Sequence, residues 1–378
     1  MAWIDDLLAR NAHTAYLRHY GSPRTLDELP AVTYDDLAPW IDRIRDGEPD
    51  VLFAGRPVAY ERTSGSTGAS KLIPYSREGL HDIQRAIAPW ISRLLDGITG
   101  SVYLAISPAT RAPETIGGIP VGLPDSAFVG SVKSAVPFEV ATITDVDVWR
   151  SETVKHLRAA RDLELISVWS PTFLLRLLDE ADFDWPHLKI ISCWASGTSK
   201  PFADELARRF PHARIEPKGL MSTECIVTVP GAGLNPYGSF EFDRGEVIAT
   251  TANGLYRYRT GDLVNEDLEF IGRRGIVSDL VGEKLTEPFV GHCLEHIAGF
   301  RYLAPNCNGY ILYAEAHVDV QDVEMRLCEN PQYAYARKLG QLAPLRLVQD
   351  ANLSERYTQT QLARGARLGD IKVPVLTP

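Results

Sequence analysis

The segment Thr63-Ser64-Gly65-Ser66-Thr67-Gly68-Ala69-Ser70-Lys71 gathers five hydroxyls, two glycines and one ammonium. Such a run can cradle a polyphosphate. Glycine lets the backbone approach closely and adopt the left-handed angles that turn N–H groups inward, and the hydroxyls and lysine add donors and charge. It is not the common nucleotide loop, in which Lys-Ser/Thr follows the last glycine directly. Lys71 comes three residues after Gly68. The same composition also suits a flexible surface turn. Three later motifs bear on the choice. In Lys218-Gly-Leu-Met-Ser222-Thr223-Glu224, the carboxylate can hold Mg²⁺, a hard cation that takes oxygen ligands and bridges phosphates, and Thr223 can contact a phosphate. A solvated turn glutamate is the alternative. In Tyr256-Arg-Tyr-Arg-Thr-Gly-Asp262, a carboxylate after a glycine turn suits the two hydroxyls of a ribose, or is an ordinary turn aspartate. In Phe270-Ile-Gly-Arg273, the arginine can reach ribose or phosphate, or simply face solvent.

The elements around these motifs read as follows. A short strand at 57–61 precedes the first loop, and a helix from Ser76 follows it, with Ile83, Ile87, Ile91, Leu94 and Leu95 on its core side and Pro89 expected to kink it. The first 55 residues read as helices. Trp3, Ile4, Leu7 and Leu8 share a face, and Thr33-Tyr-Asp-Asp36 resembles a capping box opening a helix that stops at Gly47. Strands at 102–106, 165–169, 189–194 and 213–216 alternate with helices at 172–178 and 202–210, the first opened by Ser170-Pro171. This rhythm predicts an α/β sheet with helices on its faces. Strand ends in such sheets are where ligands sit, which is where Ser222–Glu224 falls. Closely spaced strands at 246–251, 255–259 and 268–271 predict a small antiparallel or barrel-like part. Gly272-Arg-Arg-Gly275 reads as a hinge. The expected division is a large domain over 1–272 and a small, mobile α+β domain over 273–378. The latter has a strand at 310–314, helices at 320–330 and 353–365, and an extended tail carrying Lys372.

Composition narrows the class. A net charge of −10 over 378 residues argues against wholesale binding to nucleic acid or an anionic membrane, though not against a local cationic pocket. The five cysteines are scattered without a C-x-x-C pair and read as small buried hydrophobes of a reducing compartment. Met1-Ala-Trp-Ile-Asp5-Asp6 has acids where a signal peptide needs bases. No apolar run approaches the roughly 18 residues of a membrane span. The expectation is a soluble, cytoplasmic protein. Its oligomeric state is not legible.

Order and spacing make the set specific where its members are not. A Ser/Thr/Gly loop with a following lysine, then Ser-Thr-Glu roughly 150 residues on, then Tyr-Arg-Thr-Gly-Asp, then Gly-Arg, resembles the adenylate-forming superfamily of acyl-CoA synthetases, peptide-synthetase adenylation domains and luciferases. Within it the chain is most similar to the Gretchen Hagen acyl-acid amido synthetases in their shorter bacterial form. The likeness is carried by Lys71-Leu-Ile-Pro74, Gly117-Gly-Ile-Pro-Val-Gly122, Ser192-Cys-Trp-Ala-Ser-Gly197, Leu255-Tyr-Arg-Tyr-Arg259, Ser278-Asp-Leu-Val-Gly-Glu-Lys-Leu285 and Gly369-Asp-Ile-Lys-Val-Pro374. A small adenylating protein of phenazine antibiotic biosynthesis also looks similar in size and loop.

The resemblance implies ATP and Mg²⁺ as cofactors, with a small carboxylic acid and an amine or amino acid as partners. The acid would attack the α-phosphate, pyrophosphate would leave, and an amine would displace AMP to give an amide. Thr63 to Gly68 and Lys71 would hold the β- and γ-phosphates. Glu224 would place Mg²⁺, with Thr223 near the α-phosphate, and Ser222 would join the nucleotide-binding residues. Asp262 and Arg273 would fix the ribose, and Ser196 and Gly197 would run along adenine. Lys372 would swing in with the small domain to neutralise the reacting oxygens; without the resemblance it reads as a solvated lysine. Trp169, Phe173, Trp194 and the 116–121 segment around Ile119 are candidates for the acid pocket, and also fit plain core. Two or more of them in the pocket would favour an aromatic or otherwise flat acid. The chain is shorter than plant members, mostly between Ser76 and Trp149, so plant hormone specificity does not transfer. Two alternatives stand beside this reading: a thioester-forming ligase loading CoA or a carrier protein, and a non-catalytic protein that binds an acid or nucleotide.

Overall fold

The computed structural model describes residues 2–63, 71–104, 114–123, 132–281, 283–338, 341–364, 366, 371 and 374–377. Three helices open the chain: α1 (Ala2–Asn11), α2 (Ala15–His19) and α3 (Tyr34–Arg45). The capping box at α3 forms as its residue types predict, with both the Thr33 N–H and hydroxyl donating to Asp36 at 2.8 Å. Strands β1 (Ala59–Arg62) and β2 (Leu72–Tyr75) pair antiparallel on either side of the hydroxyl-rich loop. The sequence reading carried no strand between that loop and the next helix. Helix α4 (Arg77–Leu95) is capped by Ser76, whose hydroxyl accepts from the Gly79 N–H at 2.8 Å. It continues through Pro89, with Trp90 and Leu94 buried beyond it.

The central unit is β3 (Ser101–Leu104), β6 (Leu163–Ser167), β7 (Ile190–Cys193) and β8 (Arg214–Pro217), all parallel and in that order. Between β3 and β6 lie the short pair β4 (Glu114–Ile116) and β5 (Ile119–Val121). The crossovers are helices α5 (Val146–Ala159), α6 (Pro171–Leu178) and α7 (Lys200–Arg209). Same-handed crossovers put these three on one face. There Trp149, Leu157, Phe173, Leu174, Phe202 and Leu206 join Ile166 and Ile191 in one core. Helix α4 covers the other face, packing Ile87, Trp90 and Leu94 on Leu165 and Ile190.

After the two-residue strands β9 (Thr228–Val229) and β10 (Gly233–Leu234) comes an antiparallel meander: β11 (Ser239–Asp243), β12 (Glu246–Thr250), β13 (Tyr258–Val264) and β14 (Phe270–Arg273). The predicted barrel-like part is thus an open four-stranded sheet. The strand expected at 255–259 starts later, because Arg257 takes a positive φ of 48° and turns the chain first. Gly261 is not in a turn between strands. It sits inside β13 at φ +79°, where the ladder with β12 shifts register. The N-terminal helices bury Leu7, Tyr16, Leu37, Ile41 and Ile44 against Tyr256 and Tyr258, and Tyr16 stacks on Tyr256 at 5.6 Å. They therefore hold the strand that carries Asp262.

Strands β15 (Val277–Ser278) and β16 (Leu285–Thr286) lead into α8 (Glu287–Leu294). A three-stranded sheet follows, β17 (Arg301–Asn306), β18 (Gly309–Ala314) and β19 (Arg346–Gln349), with helices α9 (Val320–Leu327), α10 (Pro331–Lys338) and α11 (Leu353–Ala363). Val290, Leu294, Leu303, Leu312, Val323 and Leu376 share its core. The C-terminal tail extends this sheet, with the Leu303 N–H donating to Val375 at 2.8 Å and the Thr377 N–H to Leu303 at 2.9 Å. Cys193, Cys225 and Cys293 are buried free thiols, as small hydrophobes would be; Cys307 is exposed.

Candidate functional site

The first loop is closed at its ends. The Thr63 N–H donates to the Lys71 carbonyl at 2.9 Å, and the Lys71 N–H to the Thr63 hydroxyl at 3.1 Å. Ser64, Gly65, Ser66, Thr67 and Gly68 lie outside the described residues, as does Lys372. The Lys71 ammonium donates to the Tyr258 hydroxyl at 3.1 Å and lies 5.5 Å from the Tyr34 ring centre. A cation within about 6 Å of an aromatic face is attracted by the ring quadrupole. The loop lysine is therefore pinned to the first residue of β13.

Glu224 arrives on a tight turn after β8. Met221 bridges to Ile226, and the Ser222 N–H donates to the Cys225 carbonyl at 2.9 Å. The Ser222 hydroxyl donates to that carbonyl at 3.2 Å and accepts from the Cys225 N–H at 3.3 Å, so it is engaged in the turn itself. The Tyr75 hydroxyl, at the end of β2, donates to the Thr223 carbonyl at 2.7 Å. This joins the turn to the strand that leaves the phosphate-type loop. Burial pushes the Tyr258 hydroxyl well above the usual tyrosine range, and the charges of Glu224 and Asp262 push it the same way. The Cys225 thiol is raised by burial and by the same two carboxylates. Glu224, Asp262, Tyr258 and Lys71 thus face one neighbourhood.

Asp262 and Arg273 are cross-strand partners of β13 and β14, with Arg273 Nε 3.2 Å from Asp262 Oδ1. Asp262 is buried, and its N–H donates to the Thr260 hydroxyl at 3.1 Å. The Ser196–Gly197 turn rests on the same strand. Gly197 has φ +54°, and a Cβ there would stand 2.8 Å from the Phe270 carbonyl oxygen. Only glycine allows that approach without displacement. Ser196, Gly197, Asp262 and Arg273 therefore share a corner.

The candidates for an acid pocket divide. Trp169 and Trp194 follow the ends of β6 and β7, with ring centres 6.0 Å apart and the Trp194 N–H donating to the Trp169 carbonyl at 2.9 Å. Phe173 is buried on α6 and packs on Trp149 at 5.8 Å, inside the core. Ile119 packs with the N-terminal helical cluster and is not brought to the tryptophan pair.

Three residues escaped the sequence reading as site residues. Tyr258 stood inside a quoted motif, but its role depends on α1–α3 burying it. Glu287 accepts from the Arg273 N–H at 2.9 Å, and burial raises its carboxyl above the usual range. Thr286-Glu287-Pro288 signalled only a helix start. Lys218 is buried, donates to the Ser167 hydroxyl at 2.7 Å and lies 4.9 Å from the Trp169 ring centre.

Among the described residues no cluster of three metal-ligating side chains occurs. The Glu224 carboxylate would suit Mg²⁺, which is commonly held by one or two carboxylates plus phosphate oxygens. Among the described residues no helix is long and apolar enough to cross a membrane.

Residues 2–183 match the family model described as the GH3 family N-terminal domain. The indole-3-acetic acid-amido synthetase GH3.15 of Arabidopsis thaliana is 32% identical over 145 residues, which are 36% of this chain and 24% of that protein. The probable indole-3-acetic acid-amido synthetase GH3.1 of rice, Oryza sativa subsp. japonica, is 31% identical over 133 residues, covering 31% of this chain and 22% of that protein. The aligned segments thus span about a quarter of these relatives or less. A solved GH3.15 acyl acid amido synthetase superposes with a TM-score of 0.81 at 20% identity, covering 100% of this chain and 91% of that one. A second solved structure, AtGH3.15 in complex with 2,4-DB, gives the same score at 19% identity over 100% and 90% of the two chains. In sequence over its N-terminal half, and in fold over its whole length, the chain is similar to the GH3 acyl acid amido synthetases.

Proposed function

We propose that the chain is an ATP-dependent ligase that activates a carboxylic acid as its acyl adenylate and transfers the acyl group to an amine or amino acid. The observation that supports it most is the convergence of Lys71, Glu224 and Asp262 on Tyr258, within a fold shared with GH3.15. A carboxylate oxygen would bond to the α-phosphorus while the bond to the β-phosphate oxygen breaks and pyrophosphate leaves. The amine nitrogen would then attack the acyl carbon, expelling AMP and losing a proton.

Two anions must meet, so the work is positioning and neutralisation. Lys71 and the hydroxyls of the loop it closes would hold the departing pyrophosphate. Asp262, held by Arg273, would accept from the ribose hydroxyls, and the close approach at Gly197 would leave a flat surface for adenine. Glu224 would hold Mg²⁺, which when bound neutralises phosphate charge. Lys372 would supply the second cation at the reacting oxygens. In this reading 1–272 binds the nucleotide, and 273–378, in which α8 to α10 share a core with the three-stranded sheet while Leu353 of α11 joins the core of the central sheet, would bring in Lys372. The relatives' names describe amide formation on indole-3-acetic acid, which supports a flat acid beside Trp169 and Trp194.

Mass spectrometry of products tests this reading. With ATP, a panel of aromatic, indolic and fatty acids, and amino acids, the expected products are an amide, AMP and pyrophosphate. Release of ADP would contradict it, and a thioester formed only with CoA would reassign the acceptor.

A further inference from the structure

Arg273 is where the Asp262 corner meets the helix that follows it. Its Nε stands 3.2 Å from Asp262 Oδ1, and its backbone N–H donates to the Glu287 carboxylate, in the first turn of α8, at 2.9 Å. Strand β14 is the outer strand of the meander, so no further strand can receive that N–H, and a carboxylate takes its place. Glu287 is itself held on several sides. Its N–H donates to the Ile276 carbonyl at 3.0 Å, and the Val375 N–H of the C-terminal tail also donates to its carboxylate. The ring of the next residue, Pro288, lies so close to Gly272 that a Cβ there would stand 3.0 Å from Pro288 Cγ.

A neutral acceptor would serve a purely structural role at lower cost. Glu287 is buried, and burial raises its carboxyl above the usual range. The two N–H groups and the Arg273 charge offset part of this, while the Asp262 charge adds to it. Two carboxylates out of water around one arginine destabilise the fold, and such arrangements are found where a site uses them. Asp262 Oδ1, though ion-paired with Arg273, accepts no hydrogen bond among the described residues. A buried carboxylate oxygen in that state suits a hydroxyl donor brought by a ligand.

We propose that Glu287 is a positioning residue for ribose recognition. By fixing the Arg273 backbone at the open edge of β14, it sets where the Asp262–Arg273 pair stands and how Asp262 meets the two ribose hydroxyls. This rests on the nucleotide-binding reading above. Glu287 acts through Arg273 and not on the nucleotide itself.

The test is calorimetric titration of the full chain with AMP and with dideoxy-AMP, which lacks both ribose hydroxyls. The wild type should bind AMP at least about tenfold tighter than dideoxy-AMP, the scale of hydrogen bonds to a charged acceptor. In Glu287→Ala that preference should fall below about threefold, with dideoxy-AMP affinity unchanged, which also shows that the fold survives. Glu287→Gln keeps an acceptor oxygen and should retain a preference of at least about fivefold. In an Asp262→Asn background, Glu287→Ala should change the preference by less than about twofold, because the two residues act on one contact. A wild-type preference that persists in Glu287→Ala, or an equal loss for both nucleotides in Glu287→Ala and Glu287→Gln, makes the residue structural and overturns this inference alone. A wild type that binds AMP and dideoxy-AMP equally removes the ribose role of Asp262 and this inference with it. A wild type that binds neither AMP nor ATP overturns the acid-activating reading as a whole.

Discussion

The Lys71 ammonium donates to the Tyr258 hydroxyl at 3.1 Å, which ties the end of the hydroxyl-rich loop to the strand that carries Asp262. In the proposed reading, one hydrogen bond thereby links the residues that would hold phosphate and those that would hold ribose. Tyr258→Phe removes the acceptor and keeps the ring. A net hydrogen bond contributes about 1 kcal/mol, so KM for ATP should rise about fivefold with kcat nearly unchanged. Lys71→Met removes the charge itself and should lower kcat/KM by about 10²-fold. Steady-state kinetics at varied ATP measures both. An unchanged KM in Tyr258→Phe would show that Lys71 is held by something else.

Asp262 pairs with Arg273 across adjacent strands at 3.2 Å and is shielded from water. Asp262→Asn keeps the shape and removes the charge. It should weaken AMP binding about tenfold and leave acid binding unaltered, because charged hydrogen bonds to a sugar contribute roughly 1.5–3 kcal/mol. Calorimetric titration with AMP decides this. Equal affinity in wild type and variant would remove Asp262 from the nucleotide site.

The sequence made the parallel sheet legible because three of its strands, β3, β6 and β7, were short apolar runs alternating with helices, one of them opened by Pro171 in the first turn of α6. It made Asp262 and Arg273 legible as separate residues. That they pair was hidden, since pairing depends on the register of β13 and β14. The glycine before Asp262 read as a turn because glycine with positive φ is most often found there. Here it is a bulge, a distinction set by the partner strand β12. Lys218 read as one residue of a motif. Its burial between two indoles comes from α4 and from the ends of two strands, elements far from it in sequence.

Gly197 stands against the Phe270 carbonyl with φ +54°. Gly197→Ala must move β14 or the turn and also accept a strained backbone. The expected cost is about 2 kcal/mol, read as a lower midpoint of thermal unfolding. A midpoint equal to that of the wild type would mean that the turn relaxes freely.

Glu164 is held down to about 2, first by the Lys189 ammonium at 2.8 Å and then by the Thr99 N–H at 2.9 Å. Its folded value lies below the ordinary 4.5, so the unfolded chain binds the proton more readily. The stability it contributes is present above pH 4.5 and is lost as pH falls from there toward 2. Glu164→Gln should be less stable at neutral pH and show a flatter decline across that window. Urea unfolding at a series of pH values checks it. Parallel declines in the two proteins would assign the acid sensitivity to other groups.

The central claim is that an acid is activated on the α-phosphate while pyrophosphate leaves. Acid-dependent exchange of labelled pyrophosphate into ATP reads that step without any acceptor present. The account predicts that at least one aromatic, indolic or fatty acid stimulates exchange, and that Lys372→Ala lowers the rate by at least about 10²-fold. Exchange that no carboxylic acid stimulates, in protein shown to bind ATP, would contradict it.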